Sequence, residues 1–524
     1  MEDPIIEVIS FLSDPATVAK ESDKVKILDI ANLLAHEEIS SENLEILTMH
    51  LRRGRKTTDQ YKALIINSIL LILEKKPKYS KNLTNLLMAY TPSLQEGNAT
   101  LASLQWAHFN GTASDNPKML THCSRPVIKK LFEQNLKSLT AIYDEEASDS
   151  DRVFEENGRV VIITKQMQIP PHAPSVRTLE FSKNLIEDHG KQVLIVCSAE
   201  TSIEMGGAVV PATRGLYAEP FLNATTIQYE GHDLPFLLCG KGAFSEASAR
   251  QGIRAILDFK PEMILSIGAP NLLGEVFHQS AFCFFYMSGR DIPITKNHYF
   301  HTWEPLSEDQ KSQLERDGVL DQHLFVSTPG YHVQEKRADL AKADFQIPQD
   351  AFVFAIIGLR LEREVDTDFL DMLEVISKHT GAHFLFAGQF LQFDEAFAER
   401  PALKKSCHFI GMHPDIMAVY GLCDAYINPK RQGGGSSAAQ ALQAGIPVLA
   451  TPGGDVGFMA VNMPVLETYA DLAEAAVKIQ QDDEFMATYK NITASEASRV
   501  SVRGKYLSRI MEEFKKFAEK QSKN

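Results

Sequence analysis

A chain of 524 residues is long enough for two to four domains with self-sufficient cores. Its 44% hydrophobic and 23% charged residues are those of an ordered globular protein, which excludes a disulfide-stapled scaffold and a disordered chain alike. Asp and Glu number 68 against 53 Lys and Arg, a formal net charge of -15, so a broad electropositive surface for nucleic acid or anionic lipid is excluded and no nucleic-acid partner is expected.

Residues 1–150 read as helices. Thr58 to Glu74 places Tyr61, Leu64, Ile65, Ser68, Ile69 and Ile72 at helical spacing, and Pro126 to Tyr143 repeats the pattern. The longest apolar stretch, Ala63 to Leu73, is broken by Asn67 and Ser68 and falls short of the roughly 20 residues of a membrane span. The acidic start Met1-Glu2-Asp3-Pro4 lacks the basic flank of a secretory signal, and six scattered cysteines without a C-x-x-C read as reduced core residues. A cytoplasmic protein is expected. The acidic run Asp144 to Asp151 is read as a linker, because it has nothing to bury.

From Arg159 short β-branched runs alternate with helical segments, the pattern of a parallel α/β sheet. Val160 to Thr164, Val193 to Val196, Met263 to Ile267 and Phe282 to Tyr286 are predicted strands, with a helix from Val176 to Asp188 that ends at Gly190. A second series follows: strands at Ala351 to Gly358, His383 to Ala387, Ala425 to Asn428 and Pro447 to Ala450, and a helix from Thr367 to His379. The domain reading is 1–150 all-helical, 151–330 and 331–500 Rossmann-like, and a C-terminal helix over 501–524 that is a candidate to pack back on the first α/β domain. Doubly wound domains bind ligands at the carboxyl ends of their strands, so the expected site is a cleft between the two.

The most informative segment runs from Asn428 through Gly433-Gly434-Gly435-Ser436-Ser437 to Gln440 and on to Pro447-Val448. A strand ends, three glycines let backbone approach a ligand, and a helix opens whose free N–H groups favour an anion. A loop that merely turns the chain would also use glycines. A β-branched side chain at Gly434 is expected to crowd the phosphates and leave the fold intact.

This segment resembles the donor-binding motif of GT-B glycosyltransferases, in particular family 4 (group 1). Thr328-Pro329-Gly330-Tyr331 resembles the family's interdomain turn, Phe352 to Arg360 the approach to its phosphate clamp, and Phe409-Ile410-Gly411, Tyr420 and Asp424-Ala425 its next signatures. The resemblance implies a GT-B fold, two Rossmann-like domains facing a cleft behind an all-α N-terminal domain that binds acceptor or partner. It implies a hexosyltransferase that moves sugar from a nucleotide diphosphate sugar, UDP-sugar foremost, to a protein or glycan acceptor, with no metal or other cofactor; homo-oligomerisation is left open.

Residue by residue, the resemblance makes Arg360 the diphosphate-binding arginine, whose planar fork suits phosphate oxygens. The family's lysine falls on Val365, so Arg363, or Lys430 and Arg431, stand as substitutes. Gln440 takes the place of a ribose-binding glutamate and Gln432 that of the glutamate near the transferred sugar. These two changes keep a second reading open: a catalytically inactive GT-B binding or chaperone subunit of a glycosylation complex. His413 lies where the family holds its nucleobase, or is a solvated loop histidine. Candidates for the catalytic base are His172 and Asp291, after predicted strand ends, ahead of His278, His298 and His301. Asp366-Thr367-Asp368 precedes a helix and is read as a cap, not a metal site. Glu204-Met205-Gly206-Gly207 lacks the lysine and helix of a second phosphate loop.

Overall fold

In a computed structural model, residues 11–14, 16, 41–111, 117–148, 154–168, 172–201, 208–209, 219–240, 244–268, 271–287, 292–297, 299–302, 305–318, 324–326, 330–331, 333, 335–501 and 505–521 are described. The chain forms two compact units, Met1–Val326 with Ile510–Asn524, and Ser327–Arg509.

The first unit opens with α1 (Ser41–Gly54), α2 (Gln60–Glu74), α3 (Pro77–Ala89), α4 (Leu94–Gly111) and α5 (Arg125–Glu146). Helix α2 is apolar on every face and accordingly buried from Tyr61 to Leu71, with Asp59 accepting the Lys62 N–H as its cap. In α5 the apolar positions recur every three to four residues, Val127, Ile128, Leu131, Phe132, Leu139, Ile142 and Tyr143, and this stripe is what it buries.

An eight-stranded sheet follows, in the order β3-β4-β2-β1-β5-β6-β7-β8. Its strands are β1 (Arg159–Thr164), β2 (Gln192–Cys197), β3 (Thr226–Tyr229), β4 (His232–Leu238), β5 (Met263–Gly268), β6 (Phe282–Met287), β7 (Tyr299–Thr302) and β8 (Leu324–Val326). All neighbours are parallel except β3 and β4, a hairpin closed by Glu230 and Gly231, both at positive φ. Between these strands lie α6 (Ala173–His189), α7 (Glu246–Phe259), the one-turn α8 (Leu272–Glu275) and α9 (Glu308–Arg316). The helix ending at Gly190 is present, capped by that residue at φ 62°.

One hydrophobic core runs from the N-terminal helices into the sheet layer: Leu131, Phe132, Leu139 and Tyr143 share it with Val161, Ile163, Ile253, Ile256, Leu273 and Phe277. Tyr143 meets Phe277 edge to face at 5.2 Å. The acidic run expected as a linker is in part helix. Residues 144–146 end α5, because Glu145 and Glu146 are paired with Arg250 and Arg254 of α7 rather than left to solvent. Helix α4 also touches the loops at the sheet's carboxyl edge: Asn98 donates to the Glu200 carbonyl at 2.5 Å, and Gln105 accepts from Lys165 at 3.2 Å.

The second unit holds a five-stranded parallel sheet, β11-β10-β9-β12-β13, from β9 (Val353–Gly358), β10 (His383–Gly388), β11 (Cys407–Phe409), β12 (Ala425–Ile427) and β13 (Val448–Leu449). Strand order reverses between β9 and β12, the point at which open α/β sheets bind ligands outside the carboxyl ends of their strands. Its labelled helices are α10 (Leu361–Glu364), α11 (Thr367–Thr380), α12 (Ile416–Tyr420), α13 (Gly435–Gln443), α14 (Gly454–Met459), α15 (Tyr469–Gln481) and α16 (Asp483–Val500). Asp366 caps α11 by accepting the Phe369 N–H at 2.8 Å. The last helix, α17 (Lys505–Gln521), returns to the first unit from Ile510 on, where Phe514 and Phe517 pack on Phe154 and Phe282.

A chain beginning at Asp151 would expose the face that α5 covers. It is expected to aggregate or to lose a cooperative unfolding transition, as read by circular dichroism and gel filtration. A soluble, cooperatively folded fragment would show the helices to be dispensable to the first unit.

Candidate functional site

The reversal point of the second sheet gathers most of the residues singled out in its sequence. Strand β9 ends at Gly358, and the chain turns through Arg360 into α10. Strand β12 ends at Ile427, and residues 428–434 lead into α13. Between the two ends lies the Arg431 guanidinium, its side chain only 4% exposed. It donates from Nε to Asn428 Oδ1 at 2.8 Å and from Nη2 to the Ile357 carbonyl and the Tyr426 hydroxyl, both at 2.7 Å. Nη1 donates to Glu364 Oε2 at 2.7 Å. Burial opposes the charge, but Tyr426 and Glu364 more than offset it, and the Arg431 pKa is raised. Arg431 therefore organises the loop and is not an exposed substitute for the lysine that Val365 replaces. Val365 is itself buried.

The glycine loop is shaped by that guanidinium. Gly434 is the N-cap of α13 at φ 98°, and a Cβ there would stand 2.6 Å from Arg431 Nη2. The expectation that a side chain at Gly434 spares the fold is thus corrected: it meets the buried arginine and a left-handed backbone before any ligand. Gly433 faces the other way, its Cβ position 3.0 Å from Arg360 Nη2. Helix α13 starts at Gly435 without a side-chain cap, and no acidic residue stands in its first turn. The Ser437 hydroxyl turns back to the Gly434 carbonyl at 2.8 Å, so it serves the turn, whereas Ser436 is half-buried beside it. An uncapped helix start beside an arginine is a ready site for an anion.

Arg360 sits 29% exposed at the entry to α10, and its Nε and Nη2 reach Glu364 Oε1 at 3.1 and 3.0 Å. Glu364 thus joins Arg360 to Arg431. The sequence reading missed it, although its place four residues after Arg360 is the spacing at which helical side chains meet. Arg363 is exposed on α10. Lys430 is exposed as well, and its backbone N–H donates to the Tyr469 hydroxyl at 2.9 Å. Gln432 and Gln440 are half-buried, the first with its carbonyl taken by the Asp455 N–H at 2.7 Å. His413 is half-buried after β11, its Nδ1 2.9 Å from the Asp415 carbonyl.

In the first unit, His172 does follow β1, as the N-cap of α6. Its Nδ1 is 2.7 Å from Ser175 Oγ and its Nε2 3.2 Å from Gln166 Nε2, so both ring nitrogens are engaged. Burial pulls its pKa down to about 4, which leaves it neutral and weakly basic. Asp291 and His298 lie outside the described residues, as do Thr328, Pro329 and residues 204–207. His278 bonds the Glu275 carbonyl at 2.9 Å, and His301 is wholly buried and stacked on Tyr286. The reversal point here, between β1 and β5, holds a buried pair the sequence reading did not select: Lys165 and Glu200, 3.7 Å apart, with Glu200 also accepting the Leu272 and Leu273 N–H groups that open α8.

Residues 353–482 match the family Glycosyl transferases group 1. Among solved structures, the chain is similar to a glycosyltransferase from Rickettsia africae ESF-5, at 12% identity and a TM-score of 0.51, over 69% of this chain and 99% of that one. It is similar also to a sucrose-phosphate synthase from Thermosynechococcus elongatus, at 12% identity and a TM-score of 0.50, over 70% of this chain and all of that one. No curated protein matches the sequence. The chain is a GT-B-fold protein with Rossmann-like sheets in both units, parallel throughout except for the β3–β4 hairpin. Its second unit resembles the group 1 glycosyl transferases, and sugar transfer is the activity this match supports.

Gly434→Ala is expected to cost roughly 1 to 3 kcal/mol of stability with no nucleotide present, from the positive φ and the contact with Arg431. Urea unfolding measures it, and a midpoint unchanged from the wild type would contradict the assigned contact.

Proposed function

We propose that this chain is a nucleotide-sugar-dependent hexosyltransferase that takes a UDP-sugar on its second unit and transfers the sugar to a hydroxyl or amide of a protein or glycan acceptor. The observation that carries this reading is the uncapped start of α13 facing Arg360 across Gly433. A diphosphate there would take hydrogen bonds from the amides of residues 435–437 and a fork from Arg360, which together offset the charge on the leaving group without a metal. The half-buried His413 keeps Nε2 without a partner among the described residues, available to an edge of the nucleobase. Gln440, on the second turn of α13, has an amide suited to ribose hydroxyls. The candidates for the base are Asp291, ahead of His172, whose two ring nitrogens are engaged. Six free cysteines, five of them buried, fit a reducing cytoplasm.

One observation favours a second reading, a nucleotide-binding subunit without transferase activity: Gln432 and Gln440 place no carboxylate at either position. A thermal-shift screen of nucleotide sugars, followed by assay of donor hydrolysis, separates the two. Binding with hydrolysis supports the enzyme, and binding alone supports the subunit. Arg360→Ala is expected to weaken UDP binding by about 1.5 to 3 kcal/mol, the range for losing a hydrogen bond to a charged group. Unchanged calorimetric affinity in the folded variant would refute the clamp.

A further inference from the structure

Three charged side chains at the reversal point of the second sheet form one chain of bonds, and their exposures fall in order. Arg431 is fixed by Asn428, Ile357 and Tyr426 and is 4% exposed; Glu364 is 10% exposed; Arg360 is 29% exposed. The two oxygens of Glu364 serve different partners. Oε2 accepts from the immobile Arg431 at 2.7 Å, and Oε1 accepts from both Nε and Nη2 of Arg360. The bond to Arg431 takes one oxygen alone. The other holds the fork of Arg360 at its Nε edge, with Nη2 beside Gly433.

We propose that Glu364 is a positioning residue for the nucleoside diphosphate: it fixes Arg360 against the glycine loop by tying it to the buried Arg431. This rests on the nucleotide-binding reading above. A long arginine side chain loses rotamer freedom when it grips a ligand, and one already held in place loses less, so affinity gained here is affinity for the phosphates alone. Two guanidiniums sharing one carboxylate also leave the triad one positive charge, beside the positive end of α13. The carboxylate therefore orients the clamp without cancelling it.

The test is calorimetry of the full chain with UDP and with uridine, for the wild type, Glu364→Gln, Arg360→Ala and the double variant. Glu364→Gln is expected to raise the Kd for UDP about tenfold, the effect of loosening one charge-assisted contact, and to leave uridine within about twofold. In the Arg360→Ala background the same change should add less than about twofold, because Glu364 acts through Arg360. Glu364→Asp, which keeps the charge and shortens the reach, should resemble Glu364→Gln and serves where that variant misfolds. UDP binding that is unchanged or tighter, uridine binding lost in parallel, or full additivity with Arg360→Ala would each overturn the proposal while leaving the nucleotide reading standing. A wild type that binds no UDP would remove both.

Discussion

A guanidinium taken out of water must find a partner for its charge and for its N–H groups, and in the second unit Arg431 finds them on three separate elements. Its bonds reach the end of β9 through Ile357, β12 through Tyr426 and its following loop through Asn428, and α10 through Glu364. Much of the glycine content nearby follows from this one side chain. A Cβ at Gly358 or Gly434 would strike the guanidinium, and one at Gly454, itself at φ 70°, would strike the Arg431 carbonyl. The glycines are thus partly the mould of a buried arginine, and only Gly433 is left facing Arg360. Loop, helix start and Arg360 are thus tied together, and their open side offers N–H groups and positive charge.

The first unit is organised by a different constraint. Its N-terminal helices share one apolar core with the sheet layer, and α5 lies on α7 and α8 with the acidic end of its last turn paired to arginines. The added helices are therefore part of the scaffold behind the first sheet. Through Asn98 and Gln105 they also reach the loops after β2 and β1.

The strands were legible because parallel strands buried on both faces read as continuous β-branched and aromatic runs, and Val160 to Thr164 or Ala351 to Gly358 admit little else. Asp366 as a cap was legible for the same kind of local reason. The β3–β4 hairpin was not singled out, although Glu230-Gly231 between alternating segments is a turn signal. Arg431 and Glu364 could not be ranked from sequence. Arg431 was grouped with the exposed Lys430, and nothing in the order of residues tells which of two adjacent cations points inward. That distinction arises only when β9 and β12 are brought side by side. The role of Gly434 was misjudged for the same reason, since the atom that a Cβ there would strike lies on Arg431.

The central claim, that the start of α13 and Arg360 form a diphosphate site on the frame set by Arg431, is tested most directly by a crystal structure of the chain with UDP. The account requires the diphosphate to lie within hydrogen-bonding distance of the amides of residues 435–437 and of the Arg360 guanidinium, with Arg431 unmoved. A nucleotide bound elsewhere, or a diphosphate held without those amides, would contradict it.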